Sequence, residues 1–456
     1  MTDMTPEATP RAAQSLFTRT DNVRRRYRRG SVLKYLGLGA IGLVLFFLCV
    51  LLWSILSRGI PAFFQYQAEI QLYYDPEILE ADGTGPEALG ELSLRSDLER
   101  GIFAQSLRRT LEDSGIDTAA FDDGDLSALI YAANRRDVRD ELVADPDLVG
   151  QTVTVGVPIS LNITRYLTGG LSGEGTSGMP PGFNREQLDL IDQMVAAGLV
   201  DRNFNWGFFT NEYSQSGEVA GIGPALMGSA YMMLVVLVFS LVFGVAASIY
   251  LEEFAPKNKF TDFIEINIAN LAAVPSIVFG ILGAAILLTL GDLGFGSSIR
   301  GTALLGGIVL SLMTLPTIVI ATRSALKAVP PSIRDAALGV GASKLQTVFH
   351  HTLPLAMPGI LTGTIIGIAQ ALGETAPLLL IGLSVSTGAS ILSSPFTGGL
   401  LEQAQSMPTV VYLFAQNQDL PVREGLAQAA IIVMLALLFA LNIIAILLRR
   451  RFERRW

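Results

Sequence analysis

PPSIRDAALGVGASKLQTVFHHTLP, residues Pro330 to Pro354, lies between two long apolar runs. A proline pair can open a helix, because the first helical N–H groups have no intrahelical partner and proline's missing donor costs little there. Asp335 follows in the first turns, where a carboxylate complements the positive end of the helix dipole. Gly341 is spaced for a helix C-terminus, and Ser343 for the cap of a second short helix running to about Thr352. On that second helix Leu345, Val348, Phe349 and Thr352 fall on one side. The expected object is two short helices bent at a glycine, a stiff protrusion from whatever the flanking runs form. An ordinary interfacial hairpin would have the same composition.

Half of the 456 residues are apolar, and the mean hydropathy is +0.46. The excess is clustered in six runs, near 33–57, 223–250, 264–290, 300–324, 357–383 and 426–448. Each is close to or above the ~20 residues that cross about 30 Å of hydrocarbon. The first run is too long, and too far from the N-terminus, to read as a cleaved signal peptide. The one cysteine, Cys49, lies inside it, so no intrachain disulfide can form.

The net charge of −9 hides an asymmetry. Residues 58–221 hold 27 acidic and 11 basic residues and no lysine. Basic residues elsewhere gather at the ends of apolar runs: Arg24, Arg25, Arg26, Arg28, Arg29 and Lys34 before the first, and Arg449, Arg450, Arg451, Arg454 and Arg455 after the last. Lys257 and Lys259 follow the second run; Arg323, Lys327, Arg334 and Lys344 follow the fourth. With six crossings all these clusters share one side, which the positive-inside rule makes the cytoplasm. The expected layout is a basic, mostly disordered cytoplasmic tail (1–32), a first span (33–57) and an external segment (58–221). A five-span block (222–448) with a cytoplasmic loop (327–354) follows, then a short basic tail (449–456).

Within 58–221, Ile70–Tyr74 and Thr152–Val157 alternate as strands, while Leu98–Leu111, Leu126–Ala133 and Glu186–Val200 have helical spacing. Gly169–Pro181 reads as a glycine-rich loop. An α+β domain is expected. Both histidines lie elsewhere, and neither a metal constellation nor a nucleophile–base pair is visible. So acidic a surface repels anions at long range, and a role in interaction or structure is expected rather than capture of an anionic solute.

In the fifth run Gly359, Gly363, Gly367, Ala371 and Thr375 recur every four residues. That puts small residues on one helix face, where another backbone can approach; the partner could lie in this chain or in another subunit. Glu374 sits in the same run, one turn from Gln370. An ionisable residue at such depth marks either a pathway or a buried pair between helices. No Gly-x4-Gly-Lys-Ser/Thr phosphate loop occurs; Gly339–Lys344 lacks the spacing.

The Pro330–Pro354 segment resembles the EAA loop of ABC importer permeases, whose pattern is Glu-Ala-Ala, three residues, Gly, nine residues, Ile-x-Leu-Pro. Asp335-Ala336-Ala337, Gly341 and Leu353-Pro354 fall in register, with aspartate for glutamate at 335 and His351 for the isoleucine. The resemblance covers roughly residues 220–450. It implies an all-α polytopic membrane protein with a six-helix, MetI-like permease core, joined here to an external α+β insert. It also implies that Asp335, Ala336, Ala337, Gly341, Leu353 and Pro354 form the surface that docks on an ATP-hydrolysing subunit.

Gly373-Glu374-Thr375-Ala376-Pro377-Leu378-Leu379, Gly221–Ala225 and Tyr250–Ala255 are similar to PstA-type permeases of phosphate-specific importers, a subset of which has an extra external domain. The implied assembly pairs this chain with a PstC-type permease, two PstB-type ATPases that bind the ATP and magnesium, and a periplasmic PstS-type phosphate-binding protein. The resemblance also implies the lipid of a bacterial inner membrane as the setting, with no cofactor or nucleic acid expected on this chain and no covalent chemistry expected of it. Position 370 departs from the pattern: relatives often have arginine there, and this chain has Gln370. Donors on a phosphate path would then be Thr314, Thr317, Gln370, Thr375 and helix ends, with Glu374 orienting a partner's arginine or taking a proton from phosphate.

Three other readings stand beside this one. A permease for phosphonate, sulfate or molybdate would share every feature above except the PstA-like motifs. A membrane sensor could use 58–221 as its input, but is expected to carry an output domain that the residues after Arg449 do not supply. A membrane enzyme would need a nucleophile, metal or cofactor cluster.

Overall fold

The structure is a computed structural model that describes residues 21–75, 96–131, 142, 144–168, 179–180, 182–292, 300–383, 399–419 and 422–452. The chain divides into two units, Met1–Leu56 and Ser57–Trp456. Helix α1 (Asp21–Gly59) begins well before its apolar run, so residues 21–32, part of a tail expected to be mostly disordered, are helical. Arginine favours helix nearly as well as leucine, and no proline interrupts the passage from the charged to the apolar part.

In the second unit a 3-10 turn (Ile60–Phe63) leads into a small α+β domain. Strand β1 (Phe64–Tyr73) is central in an antiparallel sheet of order β2-β1-β3, with β2 at Thr152–Pro158 and β3 at Val200–Phe204. Ile70 opposes Val155, and Phe64 opposes Phe204. Helices α2 (Ser96–Asp113), α3 (Asp123–Leu129), α4 (Leu161–Leu167) and α5 (Arg185–Ala196) complete it. The core joins Ile70 and Leu72 of β1 to Phe103, Leu107, Leu126, Leu190 and Ile191.

β3 pairs only with Phe64–Ala68, leaving part of β1 uncovered on that edge. Helix α2 fills in: the Gln71 N–H donates to Thr110 Oγ1 (3.0 Å) and the Tyr73 N–H to Ser106 Oγ (3.1 Å). Buried backbone donors are thereby satisfied. The helix expected to reach Val200 ends at Ala196, because Gly198 turns the chain at φ +73° and releases Leu199-Val200 into β3. The helix expected to reach Ala133 ends at Leu129, and most of Gly169–Pro181 lies outside the described residues.

The bundle opens with α6 (Gly223–Ile249) and a π-helical turn (Tyr250–Phe254), then α7 (Lys259–Ala272), α8 (Ser276–Asp292) and α9 (Ala303–Lys327). Next come α10 (Pro331–Gly339), α11 (Lys344–Thr347), a π-helical turn (Val348–Thr352) and α12 (Leu353–Leu372). The last elements are α13 (Ala376–Leu380), α14 (Met407–Ala415), a π-helical turn (Val422–Leu426) and α15 (Ala427–Phe452). Helix α9 is the centre, packed on α6 and α12. Ser240 Oγ meets Thr314 Oγ1 at 2.7 Å, and Ser248 Oγ donates to the Val319 carbonyl at 3.1 Å. Hydroxyls thus hold α6 to α9 where apolar burial contributes little between helices in lipid.

Among the described residues five helical stretches are long and apolar enough to cross a membrane: Gly30–Phe63, Gly223–Phe254, Ala303–Lys327, Lys344–Leu372 and Val422–Arg451. The run expected as a third span, 264–290, is instead α7 and α8, bent by 102°. Pro275 has no N–H to continue the ladder and biases Val274 away from helical backbone. Counted as one broken span, the pair makes six. The run expected through 383 is broken too: α12 ends at Leu372, and α13 restarts with Pro377 in its first turn.

Candidate coupling surface and translocation residues

The Pro330–Pro354 segment is a two-helix knuckle. Pro330 caps α10 and Pro331 is its first helical residue. The helix closes on the Gly341 N–H to the Leu338 carbonyl (3.0 Å) and the Ala342 N–H to the Ala337 carbonyl (3.1 Å), with Gly341 at φ +91°. This is the paired closure of a glycine-terminated helix. Ser343 and Gln346 then form a reciprocal capping box on α11. Asp335 and Ala336 are exposed, and Ala337 is buried. Asp335 lies in the second turn of α10, past the residues that gain most from the helix dipole.

The second short helix does not stop near Thr352. α11 runs through the π-helical turn directly into α12, whose first turn contains Leu353 and Pro354. Pro354 cannot donate to the His350 carbonyl and its ring crowds it, which a wider turn relieves. The four residues expected on one side therefore divide. Val348 and Thr352 are buried, while Leu345 and Phe349 are exposed, as are Leu338 and Val340, the last at 86%.

Six acids and bases gather where the knuckle joins the bundle, and one of them, Arg334, belongs to the knuckle itself. Arg334 on α10 donates Nη2 to Glu253 Oε1 at 2.8 Å and Nε to the same oxygen at 3.2 Å. It also donates Nη1 to the Val329 carbonyl (2.8 Å) and Nη2 to the Leu326 carbonyl (2.9 Å), at the open C-terminal end of α9. Glu252 takes Arg323 (3.4 Å) and Lys327 (3.5 Å), and Arg323 also bonds Glu265 of α7. Much of the positive cluster after the fourth run is thus paired. Nothing in the sequence joins Glu253 to a residue 81 positions away; the signal present was only two adjacent carboxylates in a basic neighbourhood.

The small-residue face of α12 meets α9 of the same chain. A Cβ on Gly359 would come within 2.6 Å of Ala325 Cβ, and one on Gly363 within 2.2 Å of Ala321 Cβ. At Gly367 the nearest atom, Ile318 Cγ1, is 3.4 Å away. Gln370 is exposed in the last turn of α12, and Glu374 and Thr375 are half-buried in the break that follows. Their chain is turned there by the Gly373 N–H to the Gln370 carbonyl and the Glu374 N–H to the Ala371 carbonyl. Thr314 is fully buried and bonded to Ser240, beside Gly367; Thr317 is half-buried. Among the described residues no hydrogen bond joins either threonine to Gln370 or Glu374.

Residues 241–456 match the family of binding-protein-dependent transport system inner membrane components. Phosphate transport system permease protein PstA 2 of Mycobacterium bovis is 32% identical over 262 residues, 57% of this chain and 82% of that protein. The chain belongs to the PstA-type permeases of ABC importers. PstA of Yersinia pestis is 31% identical over 49% of this chain and 71% of its own length. The probable ABC transporter permease YqgI of Bacillus subtilis is 32% identical, with 42% of this chain covering 63% of it. Residues 20–175 match a domain of unknown function, DUF3333, so the PstA-type core carries an additional N-terminal domain. Among solved structures, an inward-facing MetNI methionine transporter matches 50% of this chain and 95% of that chain, at 17% identity and a TM-score of 0.40.

Proposed function

We propose that this PstA-type chain forms half of the pathway of an ATP-driven phosphate importer in the bacterial inner membrane. The observation that carries the proposal is the 82% coverage, at 32% identity, of a permease named for phosphate transport. The partners are a PstC-type permease, a pair of PstB-type ATPases holding ATP and magnesium, and a PstS-type binding protein. Both termini are cytoplasmic and residues 58–221 are periplasmic, with the basic clusters setting the orientation.

Force enters through the knuckle. Its exposed edge (Leu338, Val340, Leu345 and Phe349, beside Asp335 and Ala336) offers an apolar ridge with one carboxylate, suited to a groove on an ATPase. Closure of the ATPase pair on ATP pushes the two permeases' knuckles together and opens the pathway outward. Gly341 sets the angle between the helices that receive the push, and Leu353-Pro354 begins the span that takes it up. Gln370, Glu374 and Thr375, at the break after α12, with Thr317, line the path, while Thr314 holds α9 to α6. Glu374 serves phosphate by orienting a partner's cation or by accepting a proton.

Uptake of labelled phosphate by vesicles of the assembled importer tests the reading. Unlabelled phosphate is expected to compete fully, and sulfate, molybdate and phosphonates weakly. Full competition by one of those and none by phosphate would assign the permease to that oxyanion instead. Uptake that persists with the ATPase omitted would remove the coupling role.

A further inference from the structure

At the base of the α+β domain, aromatic rings form a continuous stack that begins inside the protein and ends in the open. Phe63 packs on Phe208 and Phe209, each at 5.8 Å between centroids. Phe209 stacks on Phe204 at 5.8 Å; Phe204 meets Trp206 at 4.9 Å and Phe64 at 5.8 Å. The inner end is rooted in the bundle: Phe208 is buried with Ala225 of α6 and with Val422, Leu426 and Ala427 at the start of the last span. Gly59 touches the same span, where a Cβ would reach Ile432 Cδ1 at 2.6 Å. The outer end is Trp206, 71% exposed, with Phe64 and Phe204 each more than a third exposed. The stack therefore stands at the level where α6 and the last span emerge from the apolar zone.

We propose that Phe64, Phe204 and Trp206 form a shelf that rests in the headgroup region of the adjoining lipid leaflet, so that the membrane is a binding partner of the α+β domain. Amphipathic rings, tryptophan above all, are favoured at that depth, where the ring is shielded and the indole N–H stays wet. The strand register supports it. Phe64 opposes Phe204 and Tyr66 opposes Arg202, so these four share one sheet face, and Asp201 and Asn203 point to the other. Arg202 lies over the Phe64 ring at 4.6 Å, which sets a cation among the rings in a domain that is otherwise strongly acidic. A cation at that depth can meet lipid phosphates. A protein partner would also accept aromatic rings, but the level of the stack, at the ends of two spans, favours lipid. That the leaflet is the outer one rests on the topology proposed above; that the shelf meets lipid does not.

Replacing Trp53 and Trp456 by phenylalanine leaves Trp206 as the sole tryptophan of the full chain. In phosphatidylcholine vesicles its emission is expected to be blue-shifted, quenched most by lipids brominated near the headgroup end of the acyl chains, and little affected by iodide. Red emission that iodide quenches and brominated lipid does not would overturn the shelf. Protection from both quenchers would overturn it as well and point to a protein cover. The same reading in the assembled importer shows whether the shelf stays on lipid when the partners are present. Side is tested separately: Asp147→Cys in a Cys49→Ser background is expected to react with an impermeant maleimide added to intact spheroplasts. Failure there moves the domain to the other leaflet and leaves the quenching result standing.

Discussion

The guanidinium of Arg334 holds Glu253 at 2.8 Å while donating to the carbonyls of Leu326 and Val329, so one side chain ties α10 to the ends of both α6 and α9. Glu253 keeps 9% of its side-chain exposure and Arg334 22%. Removing the arginine strands a buried carboxylate and takes a donor from the Val329 carbonyl, while the Leu326 carbonyl keeps the Val329 N–H. Arg334→Ala is expected to destabilise the protein by about 3 kcal/mol. Arg334→Lys should recover little of it, since one ammonium cannot reproduce a fork with three acceptors. The pair Glu253→Gln with Arg334→Met, which strands no charge, should melt above Arg334→Ala in detergent; the reverse order would refute the latch.

Gly341 has φ +91°, and nothing lies within 4 Å of the position a Cβ would take. Substitution there is limited by backbone alone. Gly341→Asn should be mild and Gly341→Ala should cost about 1–2 kcal/mol. Proline, locked near −65°, cannot adopt the turn. Gly341→Pro is expected to insert in the membrane yet abolish uptake, which a transport assay alongside a membrane-fraction blot will check.

The close approach of α12 to α9 gives a reciprocal test. Gly363→Ala places a methyl 2.2 Å from Ala321 Cβ and should lose about 1–3 kcal/mol to overpacking. Adding Ala321→Gly should restore most of that loss. Gly367→Ala, with 3.4 Å to Ile318, should be tolerated far better. Equal melting temperatures for Gly363→Ala and Gly367→Ala would count against this packing.

Glu374→Gln preserves shape and removes charge at the break after α12. A several-fold fall in phosphate uptake, with assembly on the ATPase intact by co-purification, is expected if the carboxylate serves the pathway. Unchanged uptake would reduce Glu374 to a packing residue.

The knuckle was the most legible part of the chain, because its shape depends on local chemistry: a proline pair, a left-handed glycine and a serine cap act over a few residues. The long apolar runs were legible for the same reason. What hydropathy could not show was interruption. Pro275 and Gly373 sit within apolar runs, so composition continued where the helix did not. The short β3 was hidden by helical spacing that ran past Gly198, and α4, at seven residues, is too brief for a period to register. The latch between Glu253 and Arg334 depends on how α6, α9 and α10 come together, which spacing along one segment does not encode. The family was legible in the motifs at Asp335–Pro354 and Gly373–Leu379, and the match to PstA 2 bears it out; the glycine ladder needed α9 beside it before its partner could be named.

Phe64 and Phe204 face each other across β1 and β3, so the polypeptide enters and leaves the α+β domain about 5 Å apart. A module whose two ends meet so closely makes no claim on the spacing of the helices it joins. A short bridge in place of residues 65–203 would hand the chain from α1 to α6 along the same route. The stretch between those two ends can change length without moving the points at which the chain enters and leaves the domain.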